Sequence, residues 1–363
     1  YRSQSFLAVP MKDHEGDVIG VLQLINAKPD PQGPVVSFSS SDQSLAESLA
    51  SQAAIAITNR NLMSQLETLF ESFISLINLA IDEKSPYTGG HCQRVPELTM
   101  MLAEAVNRHN QGPLASFSMD DKDRYALKIA GLLHDCGKVT TPVHVVDKAT
   151  KLQTLFDRIE LIDTRFEVLK RDQEIAALRA QLALRDAQDP AAESSVVAQC
   201  RQRIDALDDD REFLRKVNLG AESMKDADLQ RVRDIGHLHT WRNVQGVQSE
   251  LLNADELENL TIRAGTLTSA ERDTINHHIV ATIKMLEQLP WPKHLKAVPE
   301  YAGGHHERMD GKGYPKGLTR EQMSVQARVM GIADIFEALT AKDRPYKQGM
   351  KLSQAMGIMH KFK

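Results

Sequence analysis

Aromatic residues make up only 5% of this 363-residue chain, and cysteine occurs three times, as Cys92, Cys136 and Cys200. The three cysteines form no Cys-x-x-Cys pair. That excludes a disulfide framework and a paired-thiolate metal site, and it fits a reducing, cytoplasmic setting. No apolar run approaches the roughly 20 residues that cross a bilayer, and no signal peptide opens the sequence. No membrane segment is therefore expected in this stretch; upstream segments stay open, because the sequence begins without methionine. An excess of positive charge is also missing. The formal net charge is −5, which argues against a nucleic-acid polymer as partner, so any nucleotide must be held by a local site. Alanine, leucine, isoleucine and glutamine are plentiful instead, a composition that favours helix. The length suggests two or three domains.

Residues 1–60 alternate in polarity around a polar turn, with SFLAVPMK before it and VIGVLQLINAK after it. Two short strands are expected there. The pattern resembles the C-terminal part of a GAF sensor domain; a plain β-hairpin is the alternative. The first half of such a domain, which completes its ligand pocket, is absent here. A helix then starts at Ser40, where Ser40 and Gln43 have capping-box spacing, and runs to about Glu83. Leu62, Leu66, Leu69, Phe73, Leu76 and Ala80 alternate four and three apart. That heptad seam makes residues 42–84 a linker helix suited to pairing in a homodimer, or else to packing on its own domain.

Five histidines and two aspartates follow in a distinctive order. His91 stands in GGHCQRV, His134 and Asp135 in LLHDCGK, His278 alone, His305 and His306 in HHERMDGKGYP, and Asp334 in ADIFEALTAKDRPYK. A mixed imidazole and carboxylate set suits iron, manganese or zinc, and not calcium. Seven ligands exceed the needs of one ion, so two metals sharing a carboxylate is the natural count. His277 competes with His278, but His278 shares a helical face with Ile275, Met285 and Leu289, whereas His277 lies with Lys284 and Gln288. Cys92 and Cys136 adjoin proposed ligands and read as small core residues rather than a redox switch. His237 and His239 read as surface or hydrogen-bonded histidines.

These motifs resemble the HD-GYP family of the HD phosphohydrolases, over roughly residues 70–363. The resemblance implies a mainly α fold: an HD-type helical bundle over residues 85–363, preceded by a small α/β GAF fragment and the long linker helix. It implies hydrolysis of cyclic dinucleotides, chiefly cyclic di-GMP to linear pGpG and then GMP. By the same resemblance, His91, His134 and Asp334 serve one metal and His278, His305 and His306 the other, with Asp135 between them. Iron is expected first and manganese next. A third metal in some family members uses a glutamate where this chain has Tyr87, a poor ligand, so two ions are expected. A sensor that binds without turnover, and a phosphodiesterase for cyclic GMP-AMP, remain alternatives.

Lys138, three residues after Asp135, is placed to stabilise charge developing on the phosphate. Gly313 and Tyr314 are candidates for substrate contact, or, with Pro315, for a turn that binds a protein partner. Arg344 and Lys347 are candidates for a second phosphate or a guanine edge. Residues 151–267 depart from the usual HD-GYP pattern. There Leu152, Leu155, Ile159, Ile162, Phe166 and Leu169 keep three-four spacing, as do Val197, Cys200, Ile204, Leu207 and Leu214 in a looser way, separated by a break at 189–195. An inserted antiparallel helical hairpin is expected, either simply solvated or a docking arm.

Overall fold

The computed structural model describes residues 2–84, 90–186, 190–221, 223–342 and 349–361. Pro86, Tyr87, Arg344 and Lys347 lie outside these residues. Two compact units divide the chain, Tyr1–Leu76 and Ile77–Lys363.

In the first unit, β1 (Phe6–Lys12) and β2 (Val18–Ile25) pair antiparallel, Phe6 opposite Ile25. Asp13 closes the turn by accepting from the N–H groups of Glu15 (3.0 Å) and Asp17 (2.9 Å). Alternation sends Val9, Met11, Leu22 and Leu24 to one face, where Ala46, Ala50 and Ala54 of helix α1 (Ser40–Lys84) meet them. Small residues four apart let the helix lie close to the sheet. The expected capping box is displaced by one residue. Ser39 is the cap: its hydroxyl accepts from the Asp42 N–H (3.1 Å), and the Asp42 carboxylate accepts from the Ser39 N–H (2.8 Å). A carboxylate suits the positive helix end better than an amide does, and Gln43 donates to Glu47 instead. Leu62, Leu66, Leu69, Phe73 and Leu76 are between 45% and 59% exposed.

The second unit is a helical bundle interrupted by an insertion. α2 (His91–Asn107) and α3 (Asp121–Leu133) pack together, with Gly131 of α3 against Pro96 of α2. A 3-10 turn (Cys136–Thr140) and a short α4 (Val143–Val146) lead into the insertion. Its hairpin is α5 (Ile159–Asp186) and α6 (Pro190–Asn218), followed by α7 (Asp226–Leu238), the β3–β4 hairpin (Thr240–Arg242, Gln248–Glu250) and α8 (Ala254–Leu260). The bundle resumes with α9 (Ser269–Glu287), α10 (Val298–Gly303), α11 (Val325–Thr340) and α12 (Leu352–Met359). The fold is mainly α, and among the described residues the only sheets are the two hairpins.

The insertion is more than the expected hairpin. Ile162, Phe166 and Leu214 share one core with Val232, Leu251 and Leu260, so α7, β3–β4 and α8 close the hairpin's base. Leu155 is 96% exposed and precedes α5, whose start is fixed by the Asp157 carboxylate accepting from the Ile159 N–H (3.0 Å). Its three-four spacing was coincidental. The break is also shorter than expected: α6 already begins at Pro190, because proline fits the first helical turn, where its missing N–H costs nothing. Val197 is half-exposed, while Leu207 and Leu214 are buried. His237 and His239 form hydrogen bonds with Glu250 and Asp210, each at 2.9 Å.

Candidate metal centre

Five places in the bundle deliver the seven side chains. His91 is the first residue of α2, after Gly90, whose φ of 83° is the left-handed turn glycine adopts freely. His134 ends α3, and Asp135 follows at φ −105°, turning the chain into the 3-10 segment. His278 lies within α9, His305 and His306 follow α10, and Asp334 lies within α11. Gly137 lets the 3-10 turn press on α9 beside His278: a Cβ there would stand 2.0 Å from the His278 carbonyl oxygen. The Gly137 N–H instead donates to the Thr282 hydroxyl (2.9 Å). His278 is buried and His277 exposed. The face is not the one expected, however. Met285 and Leu289 are exposed, and His278 shares its buried face with Ala281, Thr282 and Ile279.

Asp135 sits at the middle. Its Oδ2 is 3.1 Å from His91 Nε2 and 3.3 Å from His134 Nε2, while its Oδ1 is 3.3 Å from His278 Nε2 and 4.0 Å from His305 Nε2. Asp334 Oδ1 approaches His91 Nε2 (3.3 Å) and His134 Nε2 (4.0 Å). His306 Nε2 is 3.2 Å from His278 Nε2. Two clusters result, His91 with His134 and Asp135, and His278 with His305 and His306, each with its donor atoms within 4.8 Å of one another. Lys138 does not continue α3. The 3-10 turn eclipses residues three apart, which brings its Nζ to 2.5 Å from Asp135 Oδ2.

The rings are held from behind. His134, His278 and His305 each bond through Nδ1 to the carbonyl oxygen three residues earlier, Gly131 (2.7 Å), Ile275 (2.5 Å) and Ala302 (2.6 Å). Each Nε2 therefore faces the centre as a lone-pair donor, the arrangement metal-binding histidines use. Burial opposes charge on His91, yet its bonds to Asp135 and Glu337 outweigh burial and lift it to about 9. Burial, and then His134, push His305 down to about 4. Burial, with His305 and His278 behind it, also lowers His306. Burial would raise Asp135, but Lys138 and His134 hold it well below the usual carboxylate range.

HD domain profiles match residues 88–210 and 253–363, and a GAF domain profile matches residues 1–57. The chain is 33% identical over 137 residues to 3'3'-cGAMP-specific phosphodiesterase 3 of Vibrio cholerae, covering 38% of this chain and 27% of that protein. It is 36% identical over 128 residues to 3'3'-cGAMP-specific phosphodiesterase 1 of the same organism, covering 35% and 25%. It is 37% identical over 97 residues to a cyclic di-GMP phosphodiesterase of Pseudomonas aeruginosa, covering 27% and 23%. The chain thus spans about a quarter of the length of these relatives.

This chain carries an HD domain of the HD-GYP family.

The buried donors of this HD centre fit a cation. His134 Nε2, His305 Nε2 and Asp135 Oδ1 are buried without a hydrogen-bond partner. An unsatisfied buried polar atom costs about 1–3 kcal/mol, and divalent ions, one at each cluster, would satisfy all three. The facing Nε2 atoms of His278 and His306 also need something positive between them. Neutral imidazole with carboxylate is a donor set for a transition metal.

Sequence reasoning missed the supports of the HD centre. Glu337, 2% exposed, accepts from His91 Nδ1 (2.6 Å) through one oxygen and from Arg94 Nε (2.8 Å) and Nη2 (2.6 Å) through the other. Burial would raise its pKa, but His91 and Arg94 take it down to about 2. The available signal was its position three residues after Asp334 in ADIFEA, on the same helical face. Glu307 was missed as well. It is buried, and its carboxylate accepts from the N–H groups of Lys316 (2.7 Å) and Leu318 (2.8 Å), tying down the GYP turn. Gly313 is demanded by packing, since a Cβ would stand 2.3 Å from the Arg308 nitrogen. Tyr314 stacks on His306, ring centroids 4.9 Å apart and planes 17° apart. Cys92 and Cys136 are buried, and burial first of all pushes their thiols up to about 12 and 11. No helix among the described residues is long and apolar enough to cross a membrane.

Proposed function

We propose that this chain is a metal-dependent phosphodiesterase that opens cyclic dinucleotides, cutting cyclic di-GMP to linear pGpG and then to GMP. The observation that carries the reading is Asp135, with one carboxylate oxygen toward each histidine cluster. His91, His134 and Asp334 would hold one ion and His278, His305 and His306 the other, with Asp135 shared. Iron is the first expectation and manganese the second, since imidazole-rich sites with carboxylates accept both. When bound, such ions neutralise phosphate charge and acidify water near neutral pH.

The protein's own groups do the rest. Carbonyl-locked histidines keep their donor atoms aimed inward, which lowers the cost of organising the site. Lys138 lies on Asp135 and brings an ammonium to the edge of the centre, where charge develops on the departing oxygens. The Gly313–Tyr314 turn, anchored by Glu307, walls the His306 side and is proposed to touch substrate or, with Pro315, a protein partner. Arg344 and Lys347 remain proposed phosphate or base contacts.

The names of the relatives include cyclic di-GMP and 3'3'-cGAMP; both molecules contain guanine, and cyclic GMP-AMP is the second substrate we consider. The wider reading assigns residues 1–60 to a GAF-derived sensor, 42–84 to a linker, 85–363 to the catalytic domain and 151–267 to its insertion. The exposed α1 seam supports a parallel homodimer, and the cytoplasm is the proposed location. The test is metal analysis together with turnover of both cyclic dinucleotides under anaerobic conditions, where ferrous iron survives. Two ions per chain with turnover supports the proposal. Full occupancy without turnover of either molecule transfers it to a non-catalytic sensor.

A further inference from the structure

A cavity of about 260 Å³ opens beside the second histidine cluster. His305 and His306 line it, with Tyr314, Met309, Ile335 and Arg328. Pockets for whole drug-sized ligands run to roughly 300–1,000 Å³, so this one takes a fragment of a cyclic dinucleotide and not all of it. Its methionine and isoleucine walls disfavour a phosphate and favour a flat, apolar-faced group.

Arg328 is the feature that selects among such groups. It is half-buried near the start of α11, and its Nε donates to the Ser324 carbonyl oxygen (3.3 Å). Among the described residues it makes no ion pair. Arg308, which also lines the cavity, is already engaged by Asp310 at 2.9 Å. A guanidinium offers donors only, in a planar fork. Guanine presents two adjacent acceptors, O6 and N7, that match the fork. Adenine presents one acceptor beside an amine donor, and leaves the fork half unpaired.

We infer that this cavity is a guanine subsite, with the Arg328 fork reading the O6 and N7 edge of one base of the substrate. The inference rests on the phosphodiesterase reading above and adds the residue that reads the base. The cavity adjoins the cluster through His305 and His306, so a base seated there belongs to a nucleotide whose phosphate lies at the centre.

The test compares kcat/KM for cyclic di-GMP and cyclic di-AMP in the metal-loaded parent and in Arg328→Met, with metal content as the check on folding. A bidentate arginine–guanine pair discriminates by roughly tenfold to a hundredfold. The parent should prefer the guanine substrate, and the ratio should fall by that factor in Arg328→Met, mainly through KM. Arg328→Lys keeps the charge but not the fork and should lose most of the ratio too. A ratio within twofold of the parent in both variants overturns the subsite while leaving the phosphodiesterase reading intact. A parent that turns over no cyclic dinucleotide overturns that reading instead, and the subsite with it. Should the variants fail to fold, inhibition of the parent by GMP and AMP decides: stronger inhibition by GMP supports the subsite, and equal inhibition overturns it.

Discussion

Replacing Glu337 with glutamine should loosen one metal and leave the other alone. The glutamate serves two buried donors at once, His91 Nδ1 at 2.6 Å and the Arg94 fork at 2.6 and 2.8 Å. Glutamine keeps the shape but has one acceptor oxygen, so either His91 or Arg94 loses its partner. That leaves an unsatisfied group costing about 1–3 kcal/mol. Losing the carboxylate behind a metal-binding histidine typically lowers metal affinity 10–100-fold. The loss should fall on the ion held by His91, because it is His91 that Glu337 holds directly. Equilibrium titration with Mn(II) in chelator-buffered solution, with elemental analysis of the product, would resolve two classes of site. One class weakened by at least tenfold, with the other within twofold, is the expected result. Equal weakening of both classes would mean general loosening of the bundle. No weakening of either, at an unchanged melting temperature, would refute the support role of Glu337.

Asp135→Ala should cost more activity than loss of any one histidine, several orders of magnitude by steady-state rate, since it unbalances both clusters; retention of both metals and activity within tenfold of the parent would remove its bridging role. Lys138→Ala should lower turnover roughly a hundredfold at unchanged metal content, and an unchanged rate would make Lys138 a structural partner of Asp135 only. Leu69→Glu, placed in the exposed α1 seam, should shift a dimer toward monomer in light scattering without emptying the metal centre; a parent already monomeric at tens of micromolar would end that idea. Glu271→Gln should destabilise the second unit by roughly 3 kcal/mol at pH 7, the low end for a broken buried pair, because Lys148 keeps Asn259 as a partner at 2.8 Å. Burial raises the Glu271 pKa, but Lys148 and Thr268 bring it below its ordinary value. A depressed carboxyl stabilises the fold above its unfolded pKa of about 4.3, so the gap seen in urea unfolding at pH 7 should shrink at pH 4, and a constant gap would contradict the pairing.

Five of the seven clustered residues, His91, His134, Asp135, His305 and His306, were legible because they sit at breaks in regular structure that leave a mark in the sequence, whereas His278 and Asp334 lie within helices. Gly90 before His91, the dipeptide ending an apolar helix at Asp135, and the Gly-rich turn after His306 are all visible as residue types. The supports were not. Three of them are backbone carbonyls, those of Gly131, Ile275 and Ala302, which no side chain advertises. Glu337 looked like an ordinary helical acid, because its burial depends on Arg94 arriving from α2, 243 residues away in sequence. Periodicity identified α5 and α6, but it could not separate Leu152, which is buried, from Leu155, which is not. Both precede α5, so helical spacing decides neither; the Leu152 N–H donates to Asn218 Oδ1 (2.9 Å), and Leu152 packs in the core that Leu155 does not enter. The same limit explains the His278 face, where the buried histidine came with the wrong companions: Met285 lies between buried Ile283 and Leu286 but on the exposed side of α9, and Leu289 lies past the end of that helix.

The insertion interrupts the bundle between Asp135 and His278 without separating them, and its root explains how. The Thr266 hydroxyl donates to the Lys148 carbonyl oxygen (2.9 Å), so entry and exit of the insertion touch. Ala221 bridges to Gly265, and the Lys151 N–H donates to the Asn218 carbonyl oxygen (2.8 Å), which closes the root a second time. The buried Lys148 ammonium then joins Asn259 of α8 to Glu271 in the first turn of α9. An insertion whose ends meet adds length without moving its flanks, and its closure cost grows only slowly with size. The clasp does more than tolerate it, since Glu271 also caps α9 by accepting from the Thr268 N–H (2.8 Å). The residue that fixes the start of the His278 helix is thus also the residue that pairs with Lys148 at the root of the insertion.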